Sequence, residues 1–362
     1  AACAAAGIEK PLLVTDRGLA SMEITQRTLK LMADAGLGTA MFAEVDPNPT
    51  EINLEAGVRA FRDGGHDGVI AFGGGSGLDL GKMVAFMSGQ TRPVWDFEDV
   101  GDWWTRADPE GIAPNIAVPT TAGTGSEVGR ASVITNSATH VKKIIFHPKM
   151  LPATVISDPE LTVGLPPNIT AATGMDALAH CLEAYCAPGY HPMAEGIAVE
   201  GIRLVKDWLP AAVHDGKNLA ARAHMLAAAS MGATAFQKGL GAIHSLSHPV
   251  GAIYDTHHGL TNAVFMPYVL AFNRPAIEDK MGRLAAYLGL KEATFTAVQD
   301  WVLALRHELK IPEKLDGLGV GDERIDEVAE AAAEDPTAPT NPIPVGKTEM
   351  RQMFEMALEG RL

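Results

Sequence analysis

The feature that most constrains the fold is a change in the hydrophobic pattern near residue 161. Before that point, short apolar runs of strand character occupy 11–16, 39–45, 68–75, 115–121 and 153–158. Amphipathic stretches separate the first three runs, an alternation that predicts βαβ crossovers and a parallel sheet. After that point, Ala- and Leu-rich segments with helical periodicity follow one another with almost no strand-like alternation. The sequence therefore predicts an α/β domain at 1–161 and an all-α domain at 162–362.

Length, charge and cysteine content narrow the class of protein. A chain of 362 residues exceeds the length that one hydrophobic core usually serves, which agrees with two domains. The net charge of -15 argues against nucleic acids and anionic membranes as partners, because both would repel this surface. The sequence has no apolar run of about twenty residues, and its first residues lack the basic region of a secretory signal. Three unpatterned cysteines are typical of a reducing compartment, so we expect a cytoplasmic protein.

A glycine-rich loop, GGGSGLDLGK at 73–82, follows the third apolar run and begins a helical stretch. In that position, backbone N–H groups at a helix N-terminus bind phosphate. The spacing fits neither the Walker A loop nor the G-x-G-x-x-G motif, and an ordinary tight turn is the alternative. A second polar turn, PTTAGTGSE at 119–127, follows the fourth run. Two such loops at one edge of a parallel sheet predict a dinucleotide site, with pyrophosphate at the first loop and threonine hydroxyls from the second.

Histidine and aspartate residues in the second half have the spacing of a metal site. Asp176 and His180 stand four residues apart, so a helix places both on one face, and His244 and His248 repeat this spacing before His258. A carboxylate with three imidazoles supplies the donors that a divalent metal takes and leaves a position for substrate. Five candidates for about four positions leave one residue outside direct coordination. We expect ordinary structural roles for the other histidines, namely His66, His140, His147, His191, His214, His224 and His307.

These motifs together resemble the iron-dependent, or group III, alcohol dehydrogenase family. The resemblance covers nearly the whole chain and rests on DPNPT (46–50), GGGSGLDLGK (73–82), PTTAGTGSEV (119–128), DPELT (158–162), LPPNITAATGMDALAHCLEAY (165–185), GLGAIHSLSHPVGAIYDTHHG (239–259) and PTNPIPV (339–345). It implies an N-terminal dinucleotide-binding α/β domain, an all-helical C-terminal domain, and an active site in the cleft between them. It also implies a metal-dependent oxidoreductase that passes hydride between an alcohol and NAD or NADP.

The resemblance assigns roles to individual residues. The implied metal ligands are Asp176, His180, His244 and His258. His248 is then unliganded, close to substrate and nicotinamide, and is the candidate proton relay. The implied cofactor-binding residues are Gly74, Gly75 and Ser76 at the pyrophosphate, Asp79 at the nicotinamide end, Thr120, Thr121 and Thr124 along the cofactor, and Lys142. The expected metal is Fe2+, although these donors would bind Zn2+ or Ni2+ at least as tightly.

Two positions depart from the family pattern. Ala43 stands where relatives that prefer NAD often carry an aspartate for the adenine-ribose hydroxyls, while Glu44 beside it retains a negative charge. NAD and NADP therefore both remain candidates. His257 stands where many relatives have proline, and we expect its side chain to face solvent.

Other functions fit parts of the pattern. A glycerol- or polyol-type dehydrogenase of the same superfamily, using Zn2+, is the nearest alternative. A superfamily member that takes a phosphorylated substrate would need basic residues near the histidines, where Lys238 is close in sequence. A metallohydrolase would need no dinucleotide, and a noncatalytic metal- or nucleotide-binding protein would turn over no alcohol. We expect a small alcohol or aldehyde as substrate, no nucleic acid or membrane partner, and a homodimer. Candidate pocket residues are Trp103, Trp104, Phe146, Phe236 and Tyr254.

Overall fold

The chain forms two compact units. A computed structural model describes residues 1–139 and 141–362, so His140 lies outside the described residues. The first unit comprises Ala1–Thr121 and Gly125–Thr162, and the second comprises Ala122–Thr124 and Val163–Leu362. Within the described ranges, none of the helices combines the length and the hydropathy that a membrane crossing requires.

The first unit is built around a parallel sheet. The strands in chain order are β1 (Pro11–Val14), β2 (Met41–Phe42), β3 (Gly68–Gly73), β4 (Asn115–Pro119), β5 (Ala131–Asn136), β6 (Val141–Phe146) and β7 (Thr154–Val155). Five of the described strands form one sheet in the order β2-β1-β3-β4-β7, with every neighbouring pair parallel. Each lies within one of the predicted apolar runs, so the predicted parallel sheet is confirmed. β1, β3 and β4 are buried along their whole length, which is why they read as continuous apolar runs.

An antiparallel hairpin, formed by β5 and β6, is an element that the sequence analysis did not predict. Ile134 and Ile145 are buried in it, but polar residues such as Thr135 and Lys142 interrupt the apolar pattern. No continuous apolar run therefore marks the two strands. Lys142 pairs with Thr135 in the register of the hairpin.

Helices account for most of the second unit, as predicted. The helices in chain order are α1 (Ala2–Ala5), α2 (Glu23–Asp34), α3 (Glu51–Asp63), α4 (Gly75–Met87), α5 (Pro167–Cys186), α6 (Pro192–His214), α7 (Leu219–Ala235), α8 (Ala242–Tyr254), α9 (His258–Tyr287), α10 (Phe295–Glu308), α11 (Ile325–Ala333) and α12 (Lys347–Glu359). The helical periodicity read in the sequence corresponds to α5, α6, α7 and α10. The α/β and all-α fold class is confirmed.

Helix α5 lies at the centre of the helical unit, where it packs against α6, α7 and α9. Its residues from Gly174 to Cys186 are all buried, including the polar residues Asp176, His180 and Glu183. Burying a charged or polar group without a partner is costly. The polar residues of α5 therefore need partners inside the core, and α8 and α9 supply hydrogen bonds to Asp176 and Glu183.

Helix α4 approaches the sheet closely at Gly81. A methyl group on Gly81 would lie 2.5 Å from the Cβ atom of Ala71 in β3 and 2.9 Å from its Cα atom. Carbon atoms in contact are normally about 3.5 to 4.0 Å apart. The helix lies this close because position 81 has no side chain. Since α4 begins in the glycine-rich loop, this contact also fixes the position of that loop.

We expect Gly81→Ala to destabilise the protein by about 1 to 3 kcal/mol, because the added methyl forces α4 away from β3. Chemical denaturation followed by circular dichroism measures the change. Gly196→Ala on α6 is a matched control, since its added methyl meets no atom within 4 Å; alanine there should be neutral or stabilise by about 0.5 to 1 kcal/mol. Equal stability of Gly81→Ala and the unmodified protein would contradict the packing described.

Candidate metal site and nucleotide loop

The four predicted metal ligands lie together in the helical unit. Asp176 and His180 are one turn apart on α5, His244 is in the first turn of α8, and His258 is the first residue of α9. The Oδ1 atom of Asp176 lies 3.9 Å from Nε2 of His180, 3.8 Å from Nε2 of His244 and 3.6 Å from Nε2 of His258. The donor atoms of Asp176, His180 and His244 all lie within 4.8 Å of one another, and Nε2 of His258 approaches the same carboxylate oxygen.

The spacing of these atoms fits a divalent cation. The distances of 3.6 to 3.9 Å exceed hydrogen-bonding range, so direct hydrogen bonds do not account for the convergence. A tetrahedral cation with bonds of about 2.1 Å to nitrogen and oxygen separates its ligand atoms by about 3.4 Å. Donors of this kind at this spacing could hold Fe2+, Zn2+ or Ni2+.

Glu183 sets the tautomer of His244. Its Oε2 atom lies 2.6 Å from Nδ1 of His244, and its Oε1 atom accepts the backbone N–H of Ile243 at 2.7 Å. Burial alone would lower the pKa of His244, but the carboxylates of Glu183 and Asp176 raise it above its usual value. Because Nδ1 donates to Glu183, Nε2 is the ring atom whose lone pair a cation could take. The negative charge that favours a protonated imidazole also favours a metal cation in its place.

His180 lies in the most apolar part of the site. Burial lowers its pKa to about 4, so the imidazole is neutral near neutral pH. Neutral imidazole is the form that binds metal ions. The ring of Phe236 lies against it with the centroids 5.0 Å apart, which places this predicted pocket residue beside the site.

His258 and His248 form the more open side of the site. The side chain of His258 is 30% exposed and that of His248 is 20% exposed, whereas that of Asp176 is 3% exposed. The two imidazole rings stack, with centroids 5.4 Å apart and planes inclined by 13°. A small molecule that enters the site from solvent would therefore meet these two rings first.

Asp335 orients His248. Its Oδ2 atom lies 2.8 Å from Nδ1 of His248, and its Oδ1 atom accepts the backbone N–H and the hydroxyl of Thr337 at 2.9 and 2.6 Å. Burial raises the pKa of Asp335, but the interactions with His248 and Thr337 outweigh it and leave the pKa below its usual value. An ionised Asp335 keeps a hydrogen on Nδ1 of His248, so Nε2 can accept a proton.

Sequence reasoning missed Glu183, Asn262 and Asp335, which all contact the predicted site residues. Glu183 and Asn262 each lie one helical turn after a predicted ligand, so the same helical spacing that identified the ligands could have identified them. Asp335 lies in a loop 87 residues after His248, and no local pattern connects the two.

His257 lies at the interruption between α8 and α9. Helix α8 ends at Tyr254, its C-cap Asp255 has a left-handed φ of 53°, and His257 is the N-cap of α9. Its Nδ1 atom accepts the backbone N–H of Leu260 at 3.4 Å, and the side chain is exposed. These observations agree with the expectation that His257 faces solvent, and they give it a capping role.

The glycine-rich loop follows β3 at the carboxyl end of the sheet. Gly74 is the N-cap of α4, and Gly75 and Ser76 form the first turn of the helix. The loop lies where the strand order reverses between β1 and β3, which is where doubly wound sheets bind ligands. A methyl group on Gly74 would lie 3.3 Å from the side chain of Thr121, so the two loops are in contact at this edge. Backbone N–H groups of this turn could bind a phosphate.

The other predicted cofactor residues have different surroundings. Thr120 is buried and donates its backbone N–H to Gly73 at 2.9 Å, whereas Thr124 belongs to the second unit. The carboxylate of Asp79 accepts the hydroxyl of Ser126 at 2.5 Å and the backbone N–H of Val133 at 3.0 Å. Asp79 therefore holds the β5 strand in addition to any role toward a cofactor.

Lys142 and Lys143 point to opposite faces of β6, because neighbouring residues alternate along a strand. Lys143 forms an ion pair with Glu98 at 3.1 Å. Lys143 is therefore engaged with Glu98, and a cofactor contact of Lys142 stays a prediction.

Two groups close to the metal-site residues in sequence are occupied elsewhere. The Lys238 ammonium group donates to the carbonyl of Ala187 at 2.6 Å and to Glu195 at 2.9 Å, and its side chain is 2% exposed. It is therefore not a ready binding group for a substrate phosphate. Cys181 follows His180 directly, but its thiol lies 4.0 Å from the carbonyl of Ala228 on α7, and burial raises its pKa to about 12. Cys181 is therefore a core residue.

Five of the remaining described histidines have structural partners. For His307, the described part of the structure gives no specific contact. His147 and His191 cap helical turns by accepting backbone N–H groups, and His66 hydrogen-bonds the carbonyl of Lys10. His214 pairs with Glu308, and His224 stacks on Trp208.

Comparisons with known proteins show which protein family the chain matches. The family model described as iron-containing alcohol dehydrogenase matches residues 1–159, and the model described as Fe-containing alcohol dehydrogenase family, C-terminal, matches residues 170–358. Together the two models span both units of the chain.

Individual relatives match over almost their full length. The 4-hydroxybutyrate dehydrogenase of Cupriavidus necator is 39% identical over 366 residues, covering 98% of this chain and 94% of the relative. The NAD-dependent methanol dehydrogenase of Bacillus methanolicus is 35% identical over 359 residues, covering 97% and 93%. The crystal structure of a 1,3-propanediol oxidoreductase superposes with a TM-score of 0.93 at 35% identity, covering 98% of this chain and 94% of that chain.

We expect Glu183→Gln to weaken the binding of Zn2+ or Fe2+ by about 10- to 100-fold, because an amide no longer fixes the tautomer of His244 with a full negative charge. Competition with a chromophoric chelator measures the affinity. Glu200→Gln on α6 is the control, since Glu200 pairs with Arg203 and not with a site residue. Unchanged affinity in Glu183→Gln would show that the carboxylate does not support the site.

Proposed function

The chain belongs to the iron-containing alcohol dehydrogenase family, and we propose that it oxidises small alcohols with NAD+, and reduces the matching aldehydes, around an Fe2+ ion. The observation that carries this proposal is the convergence of Asp176, His180, His244 and His258 at distances of 3.6 to 3.9 Å from the Asp176 oxygen. General alcohol dehydrogenase activity follows from the family. The metal, the preferred cofactor and the substrate class are the proposed parts.

The proposed ligands have the chemistry that an iron site requires. A divalent cation held there would act as a Lewis acid that favours the alkoxide form of an alcohol, by the effect that lowers the pKa of bound water from about 15.7 to about 7. His180 supplies a neutral imidazole, and Glu183 directs Nε2 of His244 toward the same point. The description of the matching family supports iron, and imidazole with carboxylate donors is compatible with Fe2+.

His248 is the proposed proton acceptor. Asp335 holds a hydrogen on Nδ1, which leaves the lone pair of Nε2 for the proton that an alcohol loses on oxidation. The ring stacks on His258 at the more open side of the site, where substrate would enter. In the reverse direction the same atom would return the proton to the product alcohol.

The glycine-rich loop is the proposed pyrophosphate site. The first turn of α4, at Gly75 and Ser76, directs backbone N–H groups outward from the carboxyl end of the sheet. We propose NAD in preference to NADP, because exposed Glu44 beside Ala43 would repel a 2′-phosphate. The name of the NAD-dependent methanol dehydrogenase supports this preference.

Short primary alcohols are the proposed substrates, including those with a second polar group. The similarity to proteins named for 4-hydroxybutyrate, methanol and 1,3-propanediol supports this class. The burial of Lys238 argues against a phosphorylated substrate at this site. A homodimer in the cytoplasm, without nucleic acid or membrane partners, stays a prediction.

Removal of the metal with a chelator should abolish alcohol-dependent reduction of NAD+, and anaerobic addition of Fe2+ should restore it better than Zn2+ or Ni2+. The assay follows reduced nicotinamide with methanol, 1,3-propanediol and 4-hydroxybutyrate, with NAD+ and NADP+ in parallel. Elemental analysis of the stripped protein is the control. Full activity in a sample shown to contain no metal would refute the proposed role of the cation.

We expect His248→Ala to lower turnover on the order of 100-fold or more without loss of bound metal, because the proton loses its acceptor. Asp335→Asn should give a smaller loss, since the imidazole remains. The control is His224→Ala, which removes a ring stacked on Trp208 away from the site residues. If His248→Ala instead released the metal, His248 would have to be counted among the ligands.

A further inference from the structure

Asn262 lies among the proposed metal ligands, although the sequence analysis assigns it no role. It is fully buried one turn after His258 on α9. Its Nδ2 atom lies 2.8 Å from Oδ1 of Asp176, 3.2 Å from Nε2 of His244 and 3.2 Å from Nε2 of His258. One amide nitrogen therefore reaches donor atoms on α5, α8 and α9.

The other end of the same amide has no partner within the described structure. The Oδ1 atom of Asn262 is buried and accepts no hydrogen bond. An acceptor buried in this way costs free energy, which a leucine of similar size would avoid. The contribution of this side chain to the site must therefore come from Nδ2.

The hydrogens on Nδ2 tie the three donor atoms to one place. An amide nitrogen carries two hydrogens and accepts none, so Asp176 can take one of them while the imidazoles of His244 and His258 share the other. For His244, the hydrogen bond from Nδ1 to Glu183 leaves Nε2 as the nitrogen that faces the amide. The amide thus holds donor atoms from α5, α8 and α9 close to one another.

We propose that Asn262 is a positioning residue that assembles the cation site before the cation binds. When a cation takes the lone pairs of His244 and His258, Asp176 can keep its hydrogen bond to Nδ2, because a carboxylate oxygen has more than one lone pair. Asn262 then fixes the carboxylate as Glu183 fixes His244. The inference rests on the proposed function, since it assumes that these residues bind a cation.

Titration of the metal-stripped protein with Co2+, followed by its visible absorption, tests the role of Asn262 without an activity assay. We expect Asn262→Leu and Asn262→Ala to bind Co2+ about 10- to 100-fold more weakly than the unmodified protein and to show an altered spectrum. Leucine keeps the volume of the side chain, and alanine covers the case in which the leucine variant does not fold. Circular dichroism confirms folding of each variant.

Asn273→Leu is the matched control. Asn273 is also a buried asparagine on α9, but it exchanges hydrogen bonds with Asn341 instead of the ligands. This variant should lose stability and keep its Co2+ affinity within threefold of the unmodified protein.

The outcomes separate this inference from the proposed function. If the unmodified protein binds Co2+ and a folded Asn262 variant binds it equally well with the same spectrum, the positioning role is wrong and the metal site stands. If Asn273→Leu loses affinity as strongly as the Asn262 variants, the effect belongs to general stability and the positioning role is also wrong. If the unmodified protein binds no Co2+, both proposals fail.

Discussion

The burial of the Asp176 carboxylate is the constraint on which the helical unit depends. Its side chain is 3% exposed on a helix whose neighbours are almost all apolar. A carboxylate in such surroundings needs compensating charge or hydrogen bonds. Asn262 supplies a hydrogen bond, and the three imidazoles lie just beyond hydrogen-bonding distance. The site is therefore electrostatically suited to a cation at the point where these groups meet.

Two further carboxylates act on the imidazoles instead of on the cation position. Glu183 holds His244 from one side, and Asp335 holds His248 from another. Each occupies the Nδ1 atom of its histidine, so each leaves Nε2 available. Both histidines are held by a carboxylate at Nδ1. Their proposed roles therefore differ because their Nε2 atoms point to different places. In the proposed function, the same kind of carboxylate support would serve both cation binding and proton transfer.

The sequence predicts the elements and residue pairs that depend on local patterns. It does not predict the contacts between residues that are distant in the chain. The five strands of the sheet follow from short apolar runs, and the proposed ligand pair Asp176 and His180 follows from a spacing of four residues. The β5–β6 hairpin escapes notice because polar residues interrupt its apolar pattern. Asp335 escapes notice because its partner lies 87 residues away and only tertiary packing joins them. Local spacing could have identified Glu183 and Asn262, had residues beyond the ligands themselves been considered.

The neighbouring residues His180 and Cys181 show that the helical register of α5 decides which donor atom faces the cation position. Consecutive residues on a helix differ in direction by about 100°. The imidazole faces Asp176, while the thiol faces the Ala228 carbonyl on α7. A shift of one residue along α5 would turn sulfur toward the cation position, and thiolate donors select softer metals. The proposed preference for borderline metals therefore depends on a single angular step in one helix.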